Sequence, residues 1–297
     1  MQALYHKLRK YEIRIRKAIK SQMQGDFHSV FKGSGLEFDD VRDYQYGDDT
    51  RYIDWNVTAK GHGTFIKTFK EEKEQTVYFV IDLSASQQIG KKNNKKIDIA
   101  REIVGVLALS ALHENSQVSV MGFTDERELY VKPGKGIKHG YFIIHQLFNF
   151  VPQSPKTNIN AAIRQALSHI KKRSVVVLVS DFIDEVFHDS LKAMAHKHDL
   201  VAIQVADPRE LSFPSLGIIP LYDNEKKKTI WMNTSSRYFR KNLSGSFHDQ
   251  KETMEVFCKR NNASYLSVNT SEDFVAKLIK LFKVRNKSRS SSVQITS

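Results

Sequence analysis

Two kinds of periodicity divide this chain. From Thr76 to Ile81 the residues run Thr-Val-Tyr-Phe-Val-Ile without polar alternation and stop at Asp82. Such a run predicts a strand buried on both faces, as in a parallel sheet. Gln117–Phe123 and Ser174–Ser180 read the same way, Asp199–Ala206 and Ser264–Val268 read as further strands, and 128–131 as a short edge strand. Helical spacing occupies 95–114, 137–150, 158–172, 185–197, 246–261 and 271–284. Strands alternating with helices predict an α/β fold with a doubly wound, mostly parallel sheet, right-handed crossovers and helices on both faces. Leu216–Tyr222 and Thr229–Asn233 flank a polar turn and predict an inserted hairpin near 216–233.

The text before Gln75 is different. Leu4, Leu8, Ile13, Ile15 and Ile19 fall at helical spacing among Lys and Arg, which predicts a basic amphipathic helix over 2–22. Residues 25–72 lack clear period and read as an irregular segment with short strands. The expected organisation is therefore 1–74 (helix and cap segment), 75–284 (sheet domain) and 285–297, a Ser- and Arg-rich tail expected to be disordered.

Composition narrows the classes. The 297 residues are 40% hydrophobic and 27% charged, as in a soluble globular protein. Lys and Arg exceed Asp and Glu by 46 to 33, a formal charge of +13. The excess sits at the ends: residues 1–20 hold seven Lys and Arg against one Glu, and 283–297 hold four against none. No nucleic-acid-binding motif accompanies the basic ends, so no nucleic-acid partner is expected; a weak peripheral contact with an anionic membrane is. The lone Cys258 has no Cys or His arrangement around it and reads as an inert buried thiol. His113, His139, His145, His188, His196 and His198 show no zinc spacing. No apolar run reaches the ~18 residues of a membrane span, and the expected location is cytoplasmic.

The candidate chemistry lies where strands end, because open α/β sheets present ligands at their carboxyl edge. The first strand ends in Asp82-Leu-Ser84-Ala-Ser86, a later one in Ser180-Asp181, and Thr157 lies in a polar loop before a helix. Carboxylates and hydroxyls are hard donors suited to Mg²⁺ or Mn²⁺. Taken singly, Ser84 and Thr157 read equally well as helix caps. Together, the five positions resemble the metal-ion-dependent adhesion site of von Willebrand factor type A domains. That resemblance implies a metal site of Asp82, Ser84, Ser86, Thr157 and Asp181, completed by an acidic side chain of a protein partner.

A second signature lies upstream. Glu37, Phe38, Arg42, Tyr44, Gly47, Asp48, Asp49, Arg51, Asp54 and Trp55 belong to a stretch in which residues 37–54 carry seven acids and two bases. Interleaved aromatics predict an ordered cap on the sheet domain, with Arg42 and Arg51 in bidentate carboxylate pairs. A second cation site at Asp48 and Asp49 is the alternative. This pattern ahead of a von Willebrand factor type A-like (Rossmann-like) domain resembles the bacterial domain of unknown function fifty-eight. The resemblance implies partnership with a MoxR-type AAA+ ATPase in maturing or assembling protein complexes.

The expected function is thus a non-enzymatic, metal-dependent protein-binding adaptor. A Mg²⁺-dependent hydrolase or phosphotransferase is the alternative, since aspartates at strand ends also suit phosphoryl chemistry. Against it, the chain has no Gly-x-x-x-x-Gly-Lys-Ser/Thr loop, and no His stands out as a base for Ser84 or Ser86. Electrostatic binding to nucleic acid or a membrane surface is the lesser alternative.

Overall fold

A computed structural model describes residues 2–20, 36–59, 61, 63–71, 75–92, 94–184, 187–211, 215–223 and 228–293. Helix α1 (Gln2–Lys20) precedes a two-stranded antiparallel unit of β1 (Leu36–Asp43) and β2 (Phe65–Glu71), with the one-turn helix α2 (Trp55–Thr58) between them. The main unit begins with β3 (Thr76–Asp82) and the two-residue strands β4 (Gly90–Lys91) and β5 (Asn94–Lys95). It continues through α3 (Lys96–His113), β6 (Gln117–Phe123), β7 (Arg127–Gly134), α4 (Gly136–Asn149), α5 (Ile159–His169) and β8 (Val175–Ser180). Next come α6 (His188–Lys197), β9 (Asp199–Ala206), α7 (Pro208–Leu211) and the hairpin β10 (Ile218–Asp223) with β11 (Lys228–Asn233). Helix α8 (Arg237–Arg260), β12 (Ser264–Asn269) and α9 (Phe274–Val293) close the chain.

Six strands form one sheet in the order β12-β9-β8-β3-β6-β7. All neighbours are parallel except the edge strand β7, which returns antiparallel to β6. This is the doubly wound, mostly parallel α/β architecture that the apolar runs predict. Alternation along each strand divides the core in two. Val77, Phe79 and Ile81 of β3 and Val175, Val177 and Val179 of β8 pack with residues of α1, α3, α4 and α9. Val80, Val176 and Leu178 face the other way, with residues of α5, α6 and α8. A strand needs apolar residues at every position only when both faces are covered, which is why these runs are unbroken.

Three regions depart from the sequence expectations. Helix α1, grouped by its composition with residues 1–74, belongs to the sheet's helical layer. Leu8 is fully buried against Gly105 and Ile144 in that core, Tyr11 meets Phe274 edge-on, and Lys7 and Arg14 pair with Glu102 and Asp273 at 2.5 and 2.7 Å. Leu8 and Leu4 of its apolar stripe are therefore used inside the fold. The tail expected to be disordered from Arg285 is instead helical to Val293. Arg285 reaches back to Asp199 Oδ2 at 2.7 Å and Ser264 Oγ at 2.5 Å; residues 294–297 lie outside the described residues.

The cap segment is an ordered antiparallel pair, with Asp49 and Asp54 capping its short helical turns. The predicted bidentate pairs form: Arg42 Nη1 and Nη2 each donate to Asp48 at 2.7 Å, and Arg51 Nε and Nη2 donate to Asp49. Asp48 and Asp49 are thus taken up by arginines rather than gathered into a second cation site. Trp55, expected to pack, is 69% exposed. Gly47 sits at φ 103, a backbone that only glycine adopts without strain, and lets the β1 end turn back so that Asp48 reaches Arg42. Glu37 and Phe38 lie in β1, in register with Lys70 and Phe69 of β2.

Candidate metal site at the strand carboxyl ends

The chain leaves β3 toward β6 and β7 on one side, then crosses back to add β8, β9 and β12 on the other. Strands β3 and β8 therefore flank the point where winding reverses, and their carboxyl ends open a crevice there. Asp82 is the last residue of β3; Ser180 is the last of β8 and Asp181 follows it. All three are buried, as is Ser84, while Ser86 and Thr157 are half-buried.

Four of the five predicted residues join in one hydrogen-bond chain. The Ser84 amide donates to Asp82 Oδ1 at 2.9 Å, the Ser84 and Ser86 hydroxyls lie 3.1 Å apart, and Ser86 Oγ donates to Asp181 Oδ2 at 2.8 Å. Ser180 Oγ donates to Asp82 Oδ2 at 2.8 Å. The loop carrying Thr157 is tied to the same turn, because the Ala85 amide donates to the Pro155 carbonyl at 3.0 Å. Phe182, directly after Asp181, holds φ at 58, an uncommon conformation for a bulky residue. Its amide bonds Ser180 Oγ at 3.0 Å and its carbonyl accepts from Gln250 Nε2, so partners on both sides fix the bend that aims Asp181.

Several residues of this site were not singled out by sequence reasoning. Lys96, at the first turn of α3, has a fully buried side chain; its Nζ donates to Asp181 Oδ2 at 2.8 Å and to Glu210 Oε1 at 2.5 Å. Glu210 is aimed by the Asp207 amide, which donates to Oε2 at 3.0 Å. Gly90 lets the chain fold back ahead of α3: it sits at φ 141, and a Cβ there would lie 2.4 Å from Lys95 Cα. Gln87 places Nε2 3.3 Å from Asp82 Oδ2, while its buried Oε1 has no partner among the described residues.

The electrostatics follow from burial. Desolvation, and then the nearby Asp181, push Asp82 up to about 7, against a modest pull from its Ser84 and Ser180 hydrogen bonds. Burial works against the Lys96 ammonium, but Asp181 and Glu210 outweigh it and hold its pKa above the ordinary lysine value. Burial raises Glu210, only partly offset by Lys96.

The donor set fits one hard divalent cation. It offers two buried carboxylates and hydroxyls, with an orphaned Gln87 amide oxygen beside them as an acceptor for an ion-bound water. No three His, Cys, Asp or Glu side chains converge among the described residues, which sets this site apart from a zinc-type centre. Cys258 is buried and its thiol is pushed up to about 12 by desolvation, too basic to ligate or react at neutral pH.

Fold and site together define an α/β protein with an acidic, hydroxyl-lined site at its winding switch point. The chain belongs to the family described as "Protein of unknown function DUF58", whose sequence model matches residues 40–253. An uncharacterized protein of Mycobacterium tuberculosis is 23% identical over 284 residues, covering 94% of this chain and 89% of the relative. An uncharacterized protein of Mycobacterium avium is 24% identical over 159 residues, 52% of this chain and 94% of the relative. Among solved structures, BatB from Bacteroides thetaiotaomicron is similar at TM-score 0.48 and 14% identity, over 72% of this chain and 99% of that one. An aerotolerance-related membrane protein of Bacteroides fragilis scores 0.46 at 16% identity, over 70% and 96%. The SpRpn10 VWA domain scores 0.39 at 10% identity, over 69% and 94%. These scores are below 0.5, and the fold is read from this chain's own strand order. No helix among the described residues is long and apolar enough to cross a membrane.

Proposed function

We propose that this protein is a non-enzymatic adaptor that captures a protein partner through a divalent cation held by Asp82, Ser84, Ser86, Thr157 and Asp181. The observation that carries this reading is the convergence of the Asp82 and Asp181 carboxylates with the Ser84 and Ser86 hydroxyls at the switch point of the sheet. The buried Asp82 carboxylate favours a cation, because desolvation and the neighbouring Asp181 raise the cost of ionising it. A bound Mg²⁺ or Mn²⁺ would supply an open coordination position to an acidic side chain of the partner. The chain's own part is to hold the donors in place: Ser180 and the Ser84 amide orient Asp82, and the bend at Phe182 orients Asp181.

The partner class we infer is a MoxR-type AAA+ ATPase acting on protein complexes, with a cytoplasmic site of action. The support is the upstream signature from Glu37 to Trp55 together with membership of the family. Affinity capture from the native host tests this. The ATPase and any client should be retained with Mg²⁺, lost with a chelator, and lost with Asp82→Ala. Capture unchanged by both manipulations contradicts the adaptor reading. Metal-dependent turnover of a generic phosphoester, abolished in Asp181→Ala, would replace it with a hydrolase.

A further inference from the structure

Lys96 stands out in this molecule. A lysine ammonium is seldom placed wholly out of water, because desolvating it is expensive unless carboxylates surround it. Here the whole side chain is 0% exposed, and Nζ lies between Asp181 Oδ2 at 2.8 Å and Glu210 Oε1 at 2.5 Å. The sharing is uneven in consequence. Asp181 is one of the five residues proposed to hold a cation, and its Oδ2 also accepts from Ser86. Glu210 lies on α7, held by the Asp207 amide, and Asp207 is in turn held by Thr270 Oγ1 at 2.6 Å. The ammonium thus touches one prospective metal ligand and one acid outside the set.

We propose that Lys96 is a resident counter-cation that competes with an arriving divalent ion for Asp181, with Glu210 as the acid that draws the ammonium aside. This rests on the metal-site reading above and adds its regulation. A full positive charge 2.8 Å from Asp181 Oδ2 repels a second cation at that carboxylate. It also stabilises Asp181 while no ion is bound, so ion affinity is held down and the empty site stays folded. Glu210 opposes the ammonium's charge, so the three groups set affinity through their balance rather than through ligation. A site tuned in this way binds an ion weakly by itself and more tightly once a partner carboxylate adds its own donor.

Two variants move affinity in opposite directions if this is so, whereas a merely structural ion pair would weaken binding in both. Titration calorimetry with MnCl₂ on the full chain is the measurement, paired with thermal melts in chelator. Lys96→Met removes the competing charge and should bind Mn²⁺ about tenfold or more tightly than the native protein. It should also melt lower in chelator and regain stability with Mn²⁺. Glu210→Gln leaves the ammonium to Asp181 alone and should bind about tenfold more weakly.

Tighter binding by Lys96→Met when the native protein binds no ion would support this inference while removing the adaptor reading. Native binding with Lys96→Met equal or weaker would overturn the inference and leave the adaptor reading standing. Absence of binding in all three proteins overturns both. Should Lys96→Met stay unfolded even with Mn²⁺, Glu210→Gln decides: weaker binding supports the inference, unchanged binding overturns it.

Discussion

In the β1–β2 unit, Arg42 grips Asp48 through two nitrogens, and Arg51 grips Asp49, all at the surface. At the strand ends, Lys96 grips Asp181 and Glu210 with protein on every side. The pairing chemistry is the same and the environment is opposite. In the cap, hydrogen bonds from Arg51 hold Asp49 down at about 2, because water still solvates the charged form. In the sheet, desolvation and a neighbouring acid drive Asp82 up to about 7. Charged residues at a surface adjust one another slightly; the same residues in a crevice decide whether the region folds and what it binds.

Substitutions should expose that contrast. The largest effect is expected for Lys96→Met without metal, which strands two carboxylates; breaking a buried pair costs about 3–5 kcal/mol. Chemical denaturation in chelator measures it, and a loss no greater than that of a surface lysine would refute the contrast. A smaller effect is expected at His198, which is buried with neither ring nitrogen bonded among the described residues. Burial first, then Lys197 and Arg173, lower its pKa from 6.5 to about 4. Between those values the unfolded chain binds a proton that the folded chain does not, so stability falls as pH drops from 6.5 toward 4. The slope from this residue is at most about 1.4 kcal/mol per pH unit. His198→Leu should flatten the acid limb of a melting-temperature profile; an unchanged limb would contradict the assignment. The smallest effect is expected in the cap, where Arg42→Ala should leave the melting temperature of the sheet unit unchanged and insensitive to salt. A drop comparable to that of Lys96→Met would erase the distinction between the two regions.

How much was legible in the sequence follows from the same physics. β3, β6, β8 and β9 were readable because strands covered on both faces must be apolar at nearly every position. Asp82, Ser84, Ser86 and Asp181 were readable because they sit at the ends of those strands. Lys96 was not. It closes the polar run Lys91-Lys-Asn-Asn-Lys-Lys96 at the start of the helical spacing, which looks like a solvated helix end, and its carboxylates stand 85 and 114 positions away. Only tertiary structure brings them together. Arg285 misled for a similar reason: a Ser- and Arg-rich segment looks unstructured until Asp199 and Ser264 are found beside it. The β1–β2 pairing was hidden because charged residues interrupt the apolar alternation of both strands. The first part of α8, from Arg237, was hidden because Gly245 and its serines interrupt the helical period.

On the proposed function, the strand ends form one divalent-cation site built on Asp82 and Asp181. Calorimetric titration of Mn²⁺ into the native protein and into Asp82→Asn tests it most directly. Asparagine keeps the shape and can still accept from the Ser84 amide, so the variant should fold. The account predicts saturable binding of one ion to the native protein and none to Asp82→Asn at matched melting temperature. Equal binding by both proteins, or none by either, would contradict it.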